Sequence, residues 1–260
     1  MSTRREDRDA WDAIASFWHD RMGEGNDFVD LLIWPIVRRL LPPLEGLRVI
    51  DIGCGNGLFS RKLAAEGARV YAFDYSTNMI DHARAATREH AIEYDVLDAV
   101  DPDDLAQLPT DRFDAALCTM VLMDMRNVEP LMSVLPRILA RGASFVFATA
   151  HPCFNSPHAR LENFGRDGEG SPTSVRVEAY RTPSRSRDMA MTGQPVRTLF
   201  FHRSISDLLR PAFAAGFVLD ALEEPSFSPD HRGGRASSWG GRFHEFPPVL
   251  AGRFRKRKQE

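Results

Sequence analysis

Three aspartates stand at the ends of three successive apolar runs: Asp51 in VIDIG, Asp74 in YAFDYS and Asp98 in VLDA. The first run opens into a turn with glycines at 53, 55 and 57, and a helical segment follows. Glycine lets a backbone approach a ligand closely and adopt positive φ. An acid just before such a turn repels a pyrophosphate and suits a ligand with a cation or hydrogen-bond donors, such as an amino-acid ammonium group. Asp74 can accept two hydrogen bonds from ribose hydroxyls, and Asp98 can accept one from an exocyclic amine such as adenine N6. Both positions also read as helix N-caps, and the two roles are compatible. The turn departs from the dinucleotide fingerprint, because Leu58 occupies the place of the third glycine. The Gly-Lys-Ser/Thr of a phosphate loop is absent.

Two histidines are candidates for proton transfer. His151 directly follows the apolar run ASFVFATA, and His202 lies in FFHRSIS. Histidine titrates near neutrality and can take a proton from a phenol or a ring N–H. The plainer readings are a loop-bonding histidine for His151 and a cap or satisfied loop histidine for His202. Asp124 and His244 are further candidates for substrate contact. So are the aromatic residues Phe154, Phe201 and Trp239, although most aromatics at such positions belong to a core.

These residues need a scaffold that brings them to one edge. From residue 47, short apolar runs alternate with helical segments: strands at 47–53, 68–74, 92–98, 113–119 and 143–150, helices at 58–66, 77–88, 102–107 and 128–140. That alternation predicts βαβ units and a parallel sheet with right-handed crossovers. Ligands bind such sheets at the carboxyl ends of the strands, where all three aspartates fall. Before the alternation, residues 4–20 read as an amphipathic helix and 27–41 as a second helix kinked at Pro35. After Ala150 comes a long polar loop, then the strand-like runs SVRVEAYR and PVRTLFFHR joined by 182–194. A connection of this length suits a lid or binding element. A helix at 204–215, a strand at 217–224, a loop at 225–247 and a final strand at 249–256 complete the chain.

The 260 residues allow one large α/β domain, and 43% hydrophobic with 27% charged residues is ordinary for a globular protein. A formal net charge of −3 gives no global field for nucleic acid or an anionic membrane. The basic end RFRKRKQE reads as a solvated tail. Three scattered cysteines show no metal spacing and imply a reducing, cytoplasmic setting. The charged N-terminus lacks a signal-peptide core, and LLIWPIV is too short to span a bilayer. No metal is expected.

The set VIDIGCGNG, YAFDYS, VLDA, FDAALCTMVL and the apolar run 143–150 resembles, in order and spacing, the class I S-adenosylmethionine-dependent methyltransferases. HRSISDLLRPAFAAGFVLDALEEP is similar to the late helix and strand of their small-molecule members. The resemblance implies an α/β fold with a seven-stranded Rossmann-like sheet of order 3-2-1-4-5-7-6 and strand 7 antiparallel. The chain is then one domain, 1–260, with an N-terminal helical cover at 1–45 and a β-rich lid insertion at 151–203. By the same resemblance, Gly53, Gly55 and Gly57 line the methionine part of the cofactor, and Asp51 bonds its amino group. Asp74 holds the ribose, with Tyr75 beside it. Asp98 bonds the adenine amine between Leu97 and Ala99, and Cys118 and Thr119 offer backbone groups to the ammonium. Trp18 belongs to the covering helix, Arg21 is the candidate for the cofactor carboxylate, and Met22 faces the substrate.

The expected reaction moves a methyl group from S-adenosylmethionine to an oxygen or nitrogen of a small, aromatic or heterocyclic acceptor, yielding S-adenosylhomocysteine. His151 or His202 supplies a base if one is needed. The expected protein is a monomer or homodimer without nucleic-acid or membrane partners. Two other readings stand: an RNA or protein methyltransferase, supported by the basic end, and a non-catalytic S-adenosylmethionine-binding protein. A nicotinamide dehydrogenase is opposed by Leu58 and Asp51.

Overall fold

A computed structural model describes residues 3–88, 92–162, 174–231 and 244–256. Its centre is a seven-stranded sheet. In chain order the strands are β1 (Arg48–Ile52), β2 (Arg69–Asp74), β3 (Ile92–Val96), β4 (Phe113–Thr119), β5 (Leu139–Ala150), then, after two hairpins, β10 (Phe217–Glu223) and β11 (Val249–Lys256). The spatial order is β3-β2-β1-β4-β5-β11-β10. The first five strands are parallel, and β11 runs antiparallel to both neighbours. This is the expected order with its antiparallel seventh strand. The chain reverses direction across the sheet between β1 and β4, the switch point where open α/β sheets hold ligands.

Period-two alternation gives each central strand two buried faces. Ile50, Ile52, Ala116 and Cys118 face one core with α5 (Pro102–Ala106), α6 (Glu129–Ile138) and α7 (Ile205–Ala214). Val49, Ala115 and Leu117 face the other, with α2 (Trp34–Leu40), α3 (Leu58–Ala65) and α4 (Thr77–Ala86). Both faces being apolar, the strands read as the continuous hydrophobic runs seen in the sequence. Phe145, Phe147 and Phe254 stack within 6.2 Å of one another in the first core. The long helix α1 (Thr3–Met22) lies over α4, where Asp12 accepts from Ser76 Oγ at 2.6 Å and from Asn78 N at 3.2 Å.

Three local expectations are corrected. The kinked helix at 27–41 is a π-helical turn, Phe28–Ile33, followed by α2, with Pro35 in the first turn of α2. Proline there has no N–H to give, so the ladder is re-spaced before it rather than bent at it. β5 starts at Leu139, four residues before the expected 143, and the strand slips register against β4 between Phe113 and Ala115. The insertion after β5 holds two hairpins. β6 (Ala159–Glu162) pairs with β7 (Ser174–Val177), and β8 (Ser184–Asp188) pairs with β9 (Thr198–His202). The segment 182–194, read as a connector, supplies β8 itself. Its Ser-Arg-Ser-Arg-Asp sequence is polar on both faces and finds its strand through the backbone of β9.

Candidate functional site

The glycine turn leaves β1 and enters α3 with Gly53, Gly55 and Gly57 all at positive φ, 68°, 53° and 76°. Their surroundings differ. A Cβ on Gly53 would lie 2.6 Å from Val121, so this glycine lets the loop after β4 come close. A Cβ on Gly55 would meet nothing within 4 Å, so this position opens to the cavity. A Cβ on Gly57 would lie 2.5 Å from Tyr94 Oη and 3.0 Å from Ala83 Cβ. Gly57 therefore serves the packing of α3 on β3 and α4, and it does not line the cavity. The end of β2 holds the turn: Phe73 O accepts from Gly53 N and Cys54 N at 2.8 and 3.0 Å.

Asp74 sits at the junction. Its Oδ2 accepts from Gly55 N and its Oδ1 from Ser76 N, both at 2.9 Å. Each carboxylate oxygen can accept a second bond, and the residue lines the cavity. Burial lifts its pKa to about 6 against the pull of the two backbone donors. Asp98, also lining, accepts from Val100 N at 3.0 Å, while its own N–H is held by Asp104 at 2.9 Å. Leu97 and Ala99 flank it on the cavity wall. Asp51 lies fully buried beneath the turn and off the wall. Ser60 Oγ donates to its Oδ2 at 2.6 Å, and its Oδ1 has no partner. Burial raises its pKa to about 7.

Gly53, Gly55, Asp74, Leu97, Asp98 and Ala99 border a cavity of about 510 Å³ at the carboxyl edge of the five parallel strands. Trp18 and Met22 from α1, Tyr75, Thr119, Asp124 and Phe201 line it. Several expected residues lie elsewhere. Arg21 is exposed, with its guanidinium 5.1 Å over the Phe17 ring, because the turn of α1 that aims Trp18 and Met22 inward aims it out. Cys118 is sealed in the core and off the cavity wall. Phe154 stacks on His151 at 4.6 Å. His244 has a buried, unpartnered Nδ1 and is off the cavity wall. Trp239 lies outside the described residues.

Neither histidine faces the cavity. His151 Nδ1 accepts from Cys153 N at 3.1 Å, which puts the ring proton on Nε2, 2.8 Å from Glu224 Oε1. Both nitrogens are used, and burial holds the pKa below its usual value. This ring ties the end of β5 to the segment after β10. His202 Nε2 donates to Tyr180 O at 2.8 Å, and burial lowers its pKa too. Both expected bases therefore serve the scaffold in this geometry.

Cavity residues passed over in the sequence include Asp7 and Trp11 on α1, Asn56, Met120, Met123, Met189 and Met191. The signal for the first two was available. Asp7, Trp11, Trp18 and Met22 share one helix face by their spacing, and an acid in such an apolar stripe is unusual. Met120 stands at φ 57°, a left-handed conformation uncommon for a side chain and found at functional turns. No group of three or more potential metal ligands occurs among the described residues. No helix among them is long and apolar enough to cross a membrane.

Residues 50–147 match the family model of a methyltransferase domain. A ubiquinone biosynthesis O-methyltransferase of Alkalilimnicola ehrlichii is 32% identical over 157 residues, which is 57% of this chain and 62% of that relative. A protein of Haemophilus influenzae is 24% identical over 229 residues, 85% of this chain and 86% of its own. Among solved structures, an S-adenosylmethionine-dependent methyltransferase of Mesorhizobium loti superposes with a TM-score of 0.66 at 26% identity, covering 86% of this chain and 97% of that one. With the sheet order and the cavity at its switch point, these findings show a methyltransferase domain over residues 50–147, in the class I fold of S-adenosylmethionine-dependent methyltransferases. The chain spans less than two thirds of the length of that first O-methyltransferase.

The residues fit S-adenosylmethionine. Gly55 leaves room for backbone approach, Asp74 and Asp98 retain acceptor capacity on the wall, and the orphaned Asp51 Oδ1 lies below the turn.

Proposed function

We propose that the protein transfers a methyl group from S-adenosylmethionine to an oxygen or nitrogen of a small, largely apolar molecule. The observation carrying this reading is the cavity: Gly55, Asp74 and Asp98 border one side, while α1 and the β8–β9 hairpin close the other. Arg187 of β8 pairs with Glu6 of α1 at 3.0 Å, so the two covering elements are joined. A partly covered cavity suits a small acceptor and disfavours duplex nucleic acid. The O-methyltransferase relatives, named for ubiquinone biosynthesis, agree with a small-molecule acceptor.

The cofactor supplies an electrophilic methyl group on sulfonium. The protein's part is to hold the donor, aim the acceptor and exclude water, and such positioning is worth ~7–11 kcal/mol. Asp74 holds the ribose, Asp98 the adenine amine, and the glycine turn the methionine portion. Calorimetry with S-adenosylhomocysteine tests the assignment. Asp74→Ala weakens binding by roughly 1–3 kcal/mol, and unchanged affinity removes Asp74 from the site. Release of S-adenosylhomocysteine from S-adenosylmethionine, screened over small oxygen and nitrogen acceptors, tests the activity. Tight binding with no turnover across the panel favours the non-catalytic reading.

A further inference from the structure

The part of the cavity that the proposed cofactor contacts leave unused has its own chemistry. Asp124, in the loop after β4, lines the cavity; its backbone N–H donates to Val121 O at 2.8 Å, and its carboxyl makes no hydrogen bond or ion pair among the described residues. Asp7 of α1 approaches from the cover; Leu199 N donates to its Oδ1 at 3.4 Å, and the Tyr75 hydroxyl and the field of Arg187 also act on it. The two carboxyls feel each other. On the same wall the buried Trp11 Nε1 lacks a partner, and Tyr75 Oη, with no partner at full bonding distance, lies near enough to Asp7 to act on its carboxyl. No lysine or histidine lines this cavity among the described residues, and its one arginine, Arg126, is exposed. Phe200 and Phe201 of β9 form an apolar wall, and seven of the nine methionines line the cavity. Methionine adapts to varied shapes.

A half-buried carboxyl without a donor, as at Asp124, is stabilised when a cation neutralises it. Asp74 and Asp98 face the uncharged sugar and base in the proposed function, so they do not spend the cofactor's positive charge. A phenolate or carboxylate acceptor would meet two acids and no buried cation. We propose that the acceptor is a small amine with an apolar body, its nitrogen held between Asp124 and Asp7, and that Asp124 takes the ammonium proton before transfer. This deepens the proposed function and rests on it. Burial raises the pKa of Asp124, with Asp7 and Asp74 adding to the effect, as suits a group that must accept a proton.

The step balances. The ammonium gives one proton to the Asp124 carboxylate and becomes a neutral amine. The nitrogen lone pair forms the new N–C bond as the S–C bond breaks, and that bonding pair stays on sulfur in neutral S-adenosylhomocysteine. The product leaves as a methylated ammonium, and the Asp124 proton passes to solvent.

The test uses the full chain loaded with S-adenosylhomocysteine and matched probes sharing one body: phenethylamine, 2-phenylethanol and 3-phenylpropionate, with the corresponding aliphatic set. Calorimetry is expected to rank each amine about tenfold or more above its alcohol, and the carboxylate last. Asp124→Asn abolishes that preference while its affinity for S-adenosylhomocysteine stays at the wild-type value. An alcohol or carboxylate bound as tightly as the amine, or no amine bound in either set, overturns the proposal. Loss of S-adenosylhomocysteine affinity in Asp124→Asn also overturns it, because Asp124 then serves the cofactor. Failure of the wild type to bind S-adenosylhomocysteine at all is the separate failure of the proposed function.

Discussion

Single buried acids govern how this protein responds to pH. Asp51 holds its proton up to about pH 7 in the folded chain, against an ordinary value of 3.8. Between those values the folded state binds a proton that the unfolded chain has released, so stability falls as pH rises through the window and levels off above it. The loss is at most about 4 kcal/mol for a group this buried. Asp7 and Asp74, each raised to about 6, add to it in the same direction. The melting temperature of the cofactor-free protein is therefore higher at pH 5 than at pH 8, and Asp51→Asn flattens the difference. An equal slope in the variant would remove Asp51 as a cause. His151 belongs to this scale as well. His151→Ala leaves the pH profile of turnover unchanged and lowers stability by roughly 2–3 kcal/mol, because a packed, doubly bonded ring is lost. A shifted profile would restore it as a base.

Elements decide which glycines matter and for what. Gly57→Ala forces a Cβ against Tyr94 and Ala83 at φ 76°. The left-handed backbone costs about 1–2 kcal/mol and the overlap a further 1–3. Melting should fall by roughly 5 °C or more. Gly55→Ala, with open space around it, costs only the backbone part. Its main effect is weaker binding of S-adenosylhomocysteine by calorimetry, because the Cβ enters the cavity. If the two variants showed the reverse pattern, the division of labour within the turn would be wrong. The parallel strands were legible because β1, β4 and β5 bury both faces and so write long apolar runs. β6 and β8 were not legible. They are short and polar, and a strand of that kind exists only through the hydrogen bonds of its partner. Tyr94 and Ala83 come from β3 and α4, so no local spacing could distinguish Gly57 from Gly55.

At the scale of the whole molecule, the cavity is assembled from pieces distant in the chain: α1, the turns after β1, β2 and β4, and the β8–β9 hairpin. A ligand there bridges cover and sheet. Mass action then gives a direct reading: S-adenosylhomocysteine at 100 times its Kd stabilises the fold by about 2.7 kcal/mol. Scanning calorimetry should show a rise of roughly 5–10 °C. The absence of any rise would contradict binding of the cofactor to the folded chain.

The sequence by itself determined the parallel core, the glycine turn and the three strand-end acids, because hydrophobic period and turn chemistry are local. It pointed to the cofactor for the same reason. Where His151, Arg21 and Phe154 point, and that Asp7 and Asp124 line one cavity from 117 positions apart, was decided only by tertiary structure. Direction depends on the rotation of each helix and the exit angle of each strand, which packing against remote elements sets. The histidines suited catalysis by type, and their partners Glu224, Cys153 and Tyr180 claimed them.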